Sequence, residues 1–343
     1  MDVKVDIENA GRRAVFGEWR IELPGPSSVD SGQSAGYQYL ARGQRQQLPL
    51  KLRFHLFGLQ RVGPVHLRLE DPFGFTVLEG AFGAPHAVRV YPRRDPVRDT
   101  VFRAKQKRTV QGIYEVSQPG TGFDFFGLRG YVPGDRPRDV NWKASARSGA
   151  IIVNQHQKET DAEVVLLVDV RGVTAVGRRT NSPFAQACRS ALAVAEAHLM
   201  ARDAVRFVAY GDGVKEDRHT GATRHLQGIL DLAIDLEPSG QLGLDDVVKH
   251  LLPSLRTRSP VMIFSALVDD PSVPSAVAEL LSRDHPVQAI VPLPDWGDVA
   301  DHAAWDAAQS IALAKLRRTG IPAATHAQGA VLEQSLLNLE AAQ

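Results

Sequence analysis

The chain has 343 residues, 43% hydrophobic and 23% charged, with a formal net charge of +1. That composition is globular, and the length suggests two domains of ~150 residues each. Near-neutral charge excludes an overall field that would draw the chain to nucleic acid or an anionic membrane; one cysteine excludes an internal disulfide; and no apolar run reaches the roughly 20 residues of a spanning helix.

The N-terminal stretch MDVKVDIENAGRRAVFGEWRIELP runs straight into strand alternation with charges inside it, unlike a signal peptide. Val3, Val5 and Ile7 alternate, as do Leu48, Leu50, Leu52 and Phe54, and then Val65, Leu67 and Leu69, each run bounded by turn residues. Residues 1–95 are therefore expected to form an antiparallel β-sandwich of immunoglobulin-like type. Arg42-Gly43 and Asp71-Pro72-Phe73-Gly74 are turn chemistry, the Asp bonding its own backbone and the Gly supplying positive φ.

From Arg89 to Arg108 the composition turns basic, with two prolines, which predicts a domain boundary. The spacing favours a solvated linker neighboured by Asp95 and Asp99 over a phosphate or headgroup contact. Val110–Gln118 and Ala150–Gln157 are expected to be extended and to form a small β platform, so residues 96–160 make a β-rich segment.

The densest stretch lies inside it, Phe123 to Arg147, FDFFGLRGYVPGDRPRDVNWKASAR. Pro133-Gly134 is a turn pair, because Pro presets φ and Gly tolerates the positive φ of a type II turn. Asp135, Arg136, Arg138, Asp139, Lys143 and Arg147 follow in quick succession around Trp142, interleaved with Phe123, Phe125, Phe126 and Tyr131. Charges laid against apolar surface must be paired or hydrogen-bonded. Two readings stay open: an ion-pair network fastening two substructures, or a recognition surface for a partner or an anionic ligand.

This stretch resembles the signature of the bacterial and archaeal family known as domain of unknown function 58. Gly122, Phe125, Gly127, Leu128, Arg129, Tyr131, Pro133, Gly134, Asp135, Arg138, Trp142, Lys143, Ser145, Ala146 and Arg147 match it; Asp124, Val140 and Asn141 depart from it. The resemblance implies membrane-spanning helices ahead of a soluble region, and genes beside AAA+ ATPases of the MoxR type and other A-type domain proteins. On that expectation the chain is the soluble part, its anchor cut away or naturally lacking.

Residues 161–343 alternate strand and helix. Apolar strands are predicted at Glu163–Val170, Val205–Tyr210, Val261–Phe264 and Val287–Val291. Helical spacing marks Phe184–Met200, Leu226–Leu236, Asp245–Leu255, Val273–Leu281, Ala303–Arg317 and Val331–Ala341. The alternation predicts a parallel sheet covered on both faces, with Asp169 at the carboxyl end of its first strand, where such folds place a ligand.

With the signature, that arrangement resembles a von Willebrand factor A-type domain. The resemblance implies magnesium held by an Asp-x-Ser-x-Ser run, helped by a Thr and an Asp from later loops. Here Asp169 keeps the first carboxylate, but Arg171 and Val173 stand where the serines belong. Ser265 is followed by Ala266, with Asp269 and Asp270 a few residues on, and Pro238–Asp246 contains no Thr. A guanidinium opposes a divalent cation, and magnesium needs several oxygens in near-octahedral geometry. Asp169, Ser265 and Asp269 are thus read as a vestigial metal position, with no cofactor expected and Arg171 paired to Asp169 or a neighbour.

Other chemistry finds little support. There is no P-loop, Gly120-Thr121-Gly122 lacks the dinucleotide context, and paired-cysteine zinc spacing is absent. Ser145, His156 and Asp161 would be a hydrolytic trio without the Gly-x-Ser-x-Gly elbow. Cys188 lies on an apolar helix face and reads as a small buried hydrophobe, His198 and His225 as surface or capping residues, Trp296 and Trp305 as packing.

The expected function is a non-enzymatic adaptor or assembly factor at the cytoplasmic face of the membrane, reached only through an N-terminal anchor; without one it is cytoplasmic. A MoxR-type AAA+ ATPase and other A-type proteins are the expected partners. Arg129, Tyr131, Gly134, Asp135, Arg138, Trp142, Lys143 and Arg147 are the expected interaction residues, and no catalytic residue is assigned. The alternatives are a magnesium-dependent module using Asp169, Ser265 and Asp269, and a hydrolase.

Overall fold

The computed structural model describes residues 1–93, 119–133, 135–157, 163–201, 203–220, 226–327 and 329–341. The N-terminal part holds β1 (Asp2–Glu8), β2 (Val15–Ile21), β3 (Ser27–Gly32), β4 (Ala35–Leu40), β5 (Arg45–Phe54), β6 (Gly58–Val62), β7 (Val65–Glu70), β8 (Val77–Phe82) and β9 (His86–Val90). All pairs here are antiparallel, in sheets ordered β1-β5-β3, β4-β2-β7-β8 and β6-β9. The alternation has a physical outcome: Trp19 and Ile21 of β2, Leu50 and Leu52 of β5 and Val62 of β6 share one core. Between β7 and β8 Asp71 Oδ1 accepts from the N–H groups of Phe73 (2.8 Å) and Phe75 (3.2 Å), with Gly74 at φ 72°.

Most of the boundary expected at Arg89–Arg108 lies outside the described residues. Arg89 and Tyr91 at its start are exposed, yet they make hydrogen bonds to the α/β part. Arg89 Nη1 and Tyr91 Oη reach the Asp231 carboxylate at 3.5 and 3.2 Å, and Gln227 donates to Tyr91 Oη at 2.8 Å. Phe57, just after β5, packs against the core of the following α/β part and meets the Phe184 ring at 5.5 Å. The expected platform also differs. β11 (Ile152–Gln157) pairs with β10 (Pro119–Gly130), so the strand runs into the signature itself; Val110–Gln118 lies outside the described residues.

The α/β part is one sheet of β12 (Glu163–Asp169), β13 (Ala204–Tyr210), β14 (Val214–Thr220), β15 (Val261–Phe264), β16 (Val287–Pro292) and β17 (Ala323–His326). Its order is β14-β13-β12-β15-β16-β17. Every residue of β12 is buried. Val164, Leu166 and Val168 enter one cluster with the Pro183–Met200, Leu226–Ile234 and Leu332–Ala341 helices. Val165 and Leu167 enter a second, with the Leu244–Leu251, Val273–Ser282 and Ala303–Arg317 helices. This is an open α/β architecture, one sheet with helices packed on both faces.

The sheet is mixed, not wholly parallel as expected: β14 runs antiparallel to β13. The sequence VKEDRHT carries no apolar alternation, and a Gly-Asp-Gly turn folds it back as an edge hairpin. β17, four residues long, carries no strand signal in the sequence either. The strand order reverses between β12 and β15, the switch point where open α/β sheets place ligands. Among the described residues no helix is long and apolar enough to cross a membrane.

Replacing Phe57 by Ala is expected to destabilise the chain by about 2 kcal/mol, because a half-buried ring leaves the shared core. Thermal denaturation checks this; an unchanged melting temperature would mean the ring does not fasten the N-terminal sheets.

Candidate functional site

In the signature the chain leaves β10 and turns at Val132–Asp135, where the Asp135 N–H donates to the Val132 carbonyl at 3.1 Å. The turn brings Asp135 onto Arg129. Nη1 donates to Oδ2 at 2.7 Å and Nη2 to Oδ1 at 2.6 Å, a bidentate pair. The Val132 N–H adds a third donor at 2.9 Å. These bonds, the Arg129 one foremost, hold the Asp135 carboxyl below its usual range, and the same carboxylate raises Arg129.

Asn141, a departure from the family pattern, caps the Trp142–Ser148 helix. Its Oδ1 accepts from the Ala144 N–H at 3.0 Å, and its Nδ2 donates to Asn154 Oδ1 at 2.9 Å. Asn caps as well as Asp, so the departure keeps the geometry. Ser145 Oγ donates to the Asn141 carbonyl and accepts from the Ile152 N–H, both at 2.8 Å. Gly149 ends the helix in the left-handed region at φ 68°.

These polar signature residues bond to one another. Leu128, Tyr131, Val132, Trp142 and Ile151 face solvent instead, Trp142 with 68% of its surface exposed. Lys143 and Arg147 are exposed as well, Arg147 in the last helical turn, where a cation suits the dipole. Gly134 and the Arg138 side chain lie outside the described residues.

A second cluster sits at the switch point. Asp169 ends β12 fully buried, and Ser265 directly follows β15. Asp169 Oδ1 accepts from Arg171 N (3.0 Å) and Nε (2.9 Å); Oδ2 accepts from Arg171 Nη2 (2.8 Å) and Ser265 Oγ (2.6 Å). The guanidinium also donates from Nη2 to the Val268 carbonyl at 3.0 Å and from Nη1 to the Asp269 carbonyl at 3.1 Å. Nη1 lies 3.7 Å from Asp270 Oδ2. Burial opposes the Arg171 charge, but the hydrogen bonds and charge of Asp169 outweigh it and the net shift is upward. Burial, then the Asp169 charge, push the neighbouring Tyr210 hydroxyl well above its ordinary range.

Asp169 and Ser265 thus come together, whereas Asp269 does not bring its carboxylate. It offers its backbone carbonyl, at φ 57°, while its side chain is exposed. Asp270 turns inward instead, accepting from the Leu244 N–H (3.0 Å), the Ser272 N–H (3.0 Å) and Ser272 Oγ (2.5 Å). In a run of two aspartates nothing local says which faces in; the left-handed turn at Asp269 decides it.

These residues do not fit magnesium. A carboxylate has about four acceptor sites, and Asp169 receives four donors. Ser265 Oγ donates to Asp169 and accepts from the Leu267 N–H at 2.9 Å. The volume among the oxygens holds a guanidinium. Removing one member of such a buried pair typically costs about 3–5 kcal/mol.

A family model described as protein of unknown function DUF58 matches residues 127–298, half of the 343-residue chain. The chain belongs to the DUF58 family. The match runs from the signature through the Asp169 cluster to the loop after β16. No match was found among curated proteins. Three solved structures are similar in part. The conserved hypothetical protein BatB from Bacteroides thetaiotaomicron is 11% identical over 38% of this chain and 66% of its own, with a TM-score of 0.31. An aerotolerance-related membrane protein from Bacteroides fragilis is 9% identical over 52% and 99%, at 0.36. A von Willebrand factor type A protein from Catenulispora acidiphila is 9% identical over 55% and 43%, at 0.32. The chain spans less than two thirds of the first and last of these. Superposition this loose adds nothing to the strand order.

Elsewhere in this DUF58 chain the remaining candidates have structural surroundings. The Ser145 hydroxyl is engaged with backbone on both sides, and the His156 side chain, Asp161 and His225 lie outside the described residues. Cys188 is fully buried and burial pushes its thiol up to about 12. His198 is buried rather than at the surface, 2.8 Å from Asp203, and burial lowers its pKa. Trp296 donates to Asp306 at 3.0 Å and meets the Trp305 ring edge-on at 5.4 Å.

The Asp135 pair has a signed pH dependence. The folded pKa lies below the unfolded value of 3.8, so its stabilisation is present above that value and lost as pH falls through the folded pKa. Asp135→Asn is expected to melt below wild type at neutral pH, the two converging as pH falls through the folded pKa. A gap that persists in acid would show that the ion pair is not its source.

Proposed function

We propose that this DUF58 chain is a non-enzymatic protein-interaction module, an adaptor or assembly factor that binds partners through its signature surface. The carrying observation is the exposure of Trp142, Tyr131, Val132, Leu128 and Ile151 on a frame whose polar groups bond internally. Exposed aromatic side chains on a rigid support are what protein interfaces use as anchors. The Asp169 cluster favours this reading over the magnesium-dependent one, because its oxygens already have donors.

By family resemblance the partner is a MoxR-type AAA+ ATPase, with other A-type domain proteins as further partners. With an N-terminal anchor the place of action is the cytoplasmic face of the membrane; without one it is the cytoplasm. The exposed Lys143 and Arg147 beside Trp142 suit a partner surface with acidic residues.

The test is capture of partners from the native cells by the chain, with and without ATP and magnesium. Nucleotide-sensitive enrichment of an AAA+ ATPase is expected, reduced at least 10-fold in Trp142→Ala, since an aromatic anchor contributes about 2 kcal/mol or more. The melting temperature should stay put, as the ring is exposed. Undiminished capture by Trp142→Ala removes the signature surface from the proposal; no ATPase in the wild-type capture removes that partner.

A further inference from the structure

The Asp169 cluster has the oxygen shell of a cation site with a protein side chain at its centre. Five oxygens converge on the Arg171 guanidinium: both carboxylate oxygens of Asp169, the carbonyls of Val268 and Asp269, and Asp270 Oδ2 at the longer distance of 3.7 Å. They come from the last residue of β12 and the loop after β15, on either side of the switch point. Two carboxylates there concentrate negative charge that a cation offsets in a dry interior. Arg171 supplies one, with 2% of its side chain exposed.

The backbone around it is shaped to the same end. Leu267 and Asp269 sit in the left-handed region, at φ 62° and 57°, a conformation that side-chain-bearing residues adopt at a cost. That turn presents successive carbonyls to the guanidinium. On the far side Gly240, at φ 72°, passes so close to Asp212 that a Cβ would lie 2.2 Å from its backbone nitrogen. The Gly240 carbonyl accepts from the Gly172 N–H at 3.1 Å, just beyond Arg171.

We propose that Arg171 is the resident cation of this site: a tethered guanidinium holds the loops at the carboxyl end of the sheet in place of a divalent metal. These loops are then organised whether or not metal is available. Replacing Arg171 by a small neutral residue uncovers a divalent-cation site made of Asp169, Ser265, Asp270 and the two carbonyls. The inference does not depend on the identity of any partner, so failure of the ATPase capture leaves it standing.

The experiment uses the full chain as wild type, Arg171→Ser and Arg171→Lys. Each is melted in EDTA and in Mn2+, and Mn2+ uptake is read by electron paramagnetic resonance. Wild type is expected to take up no ion at this site and to melt at the same temperature in both media. Arg171→Ser is expected to melt roughly 10 °C lower in EDTA, to bind one Mn2+ and to recover most of the loss. Arg171→Lys keeps the charge without the fork, so it should melt between the two and remain blind to Mn2+.

Folding of Arg171→Ser only when Mn2+ is present would support the proposal equally. Stoichiometric Mn2+ uptake by wild type overturns it. So does an Arg171→Ser chain that melts like wild type in EDTA, or one that gains neither ion nor stability in Mn2+. If that variant folds under neither condition, wild type and Arg171→Lys decide: Mn2+ uptake by either overturns the proposal, and two Mn2+-blind chains support it.

Discussion

A carboxylate buried at the end of a central strand must be neutralised, and the loops of the α/β part are arranged around that constraint. Asp169 has no contact with water, so an unpaired charge there would be prohibitive. Arg171 meets it through a bidentate pair and carries the contact on to the Val268 and Asp269 carbonyls. Asp270, at the edge of the same network, caps the start of the Leu244–Leu251 helix through the Leu244 N–H. One two-residue spacing, Asp169 to Arg171, thereby links β12, the loop after β15 and a helix on one face of the sheet.

The signature works by a related inversion. Arg129 bonds to Asp135 and Asn141 to Asn154, while Tyr131 and Trp142 face outward. The Arg129–Asp135 ion pair is internal to the signature, and Leu128, Tyr131, Val132 and Trp142 are exposed. Frame and surface are complementary: internal bonds of the turn and of the helix cap support the exposed Tyr131 and Trp142.

Much of the fold was legible because its signals are local. Period-2 alternation marked β1, β5 and β7, apolar runs marked β12, β13, β15 and β16, and helical spacing marked Ala303–Arg317 to the residue. The misses share a cause. β14 is a charged edge strand paired through its backbone to β13, and its sequence carries no apolar period. β17 is too short to show one. His198 reads as a surface residue in its helix and is buried because of what packs over it.

The same division runs through the candidate sites. Residue chemistry alone determined the Asp-Pro-Phe-Gly turn, the family signature, and the conflict between Arg171 and a divalent cation, since charge sign and turn propensity need no partner. Tertiary structure decided that Asp270 rather than Asp269 faces the guanidinium, that Asp135 belongs to Arg129, and that Arg89 and Tyr91 dock on Asp231. Those pairings join groups from different elements or turn on a single backbone dihedral. Their energies exist only once packing has fixed the distances, so no local pattern records them.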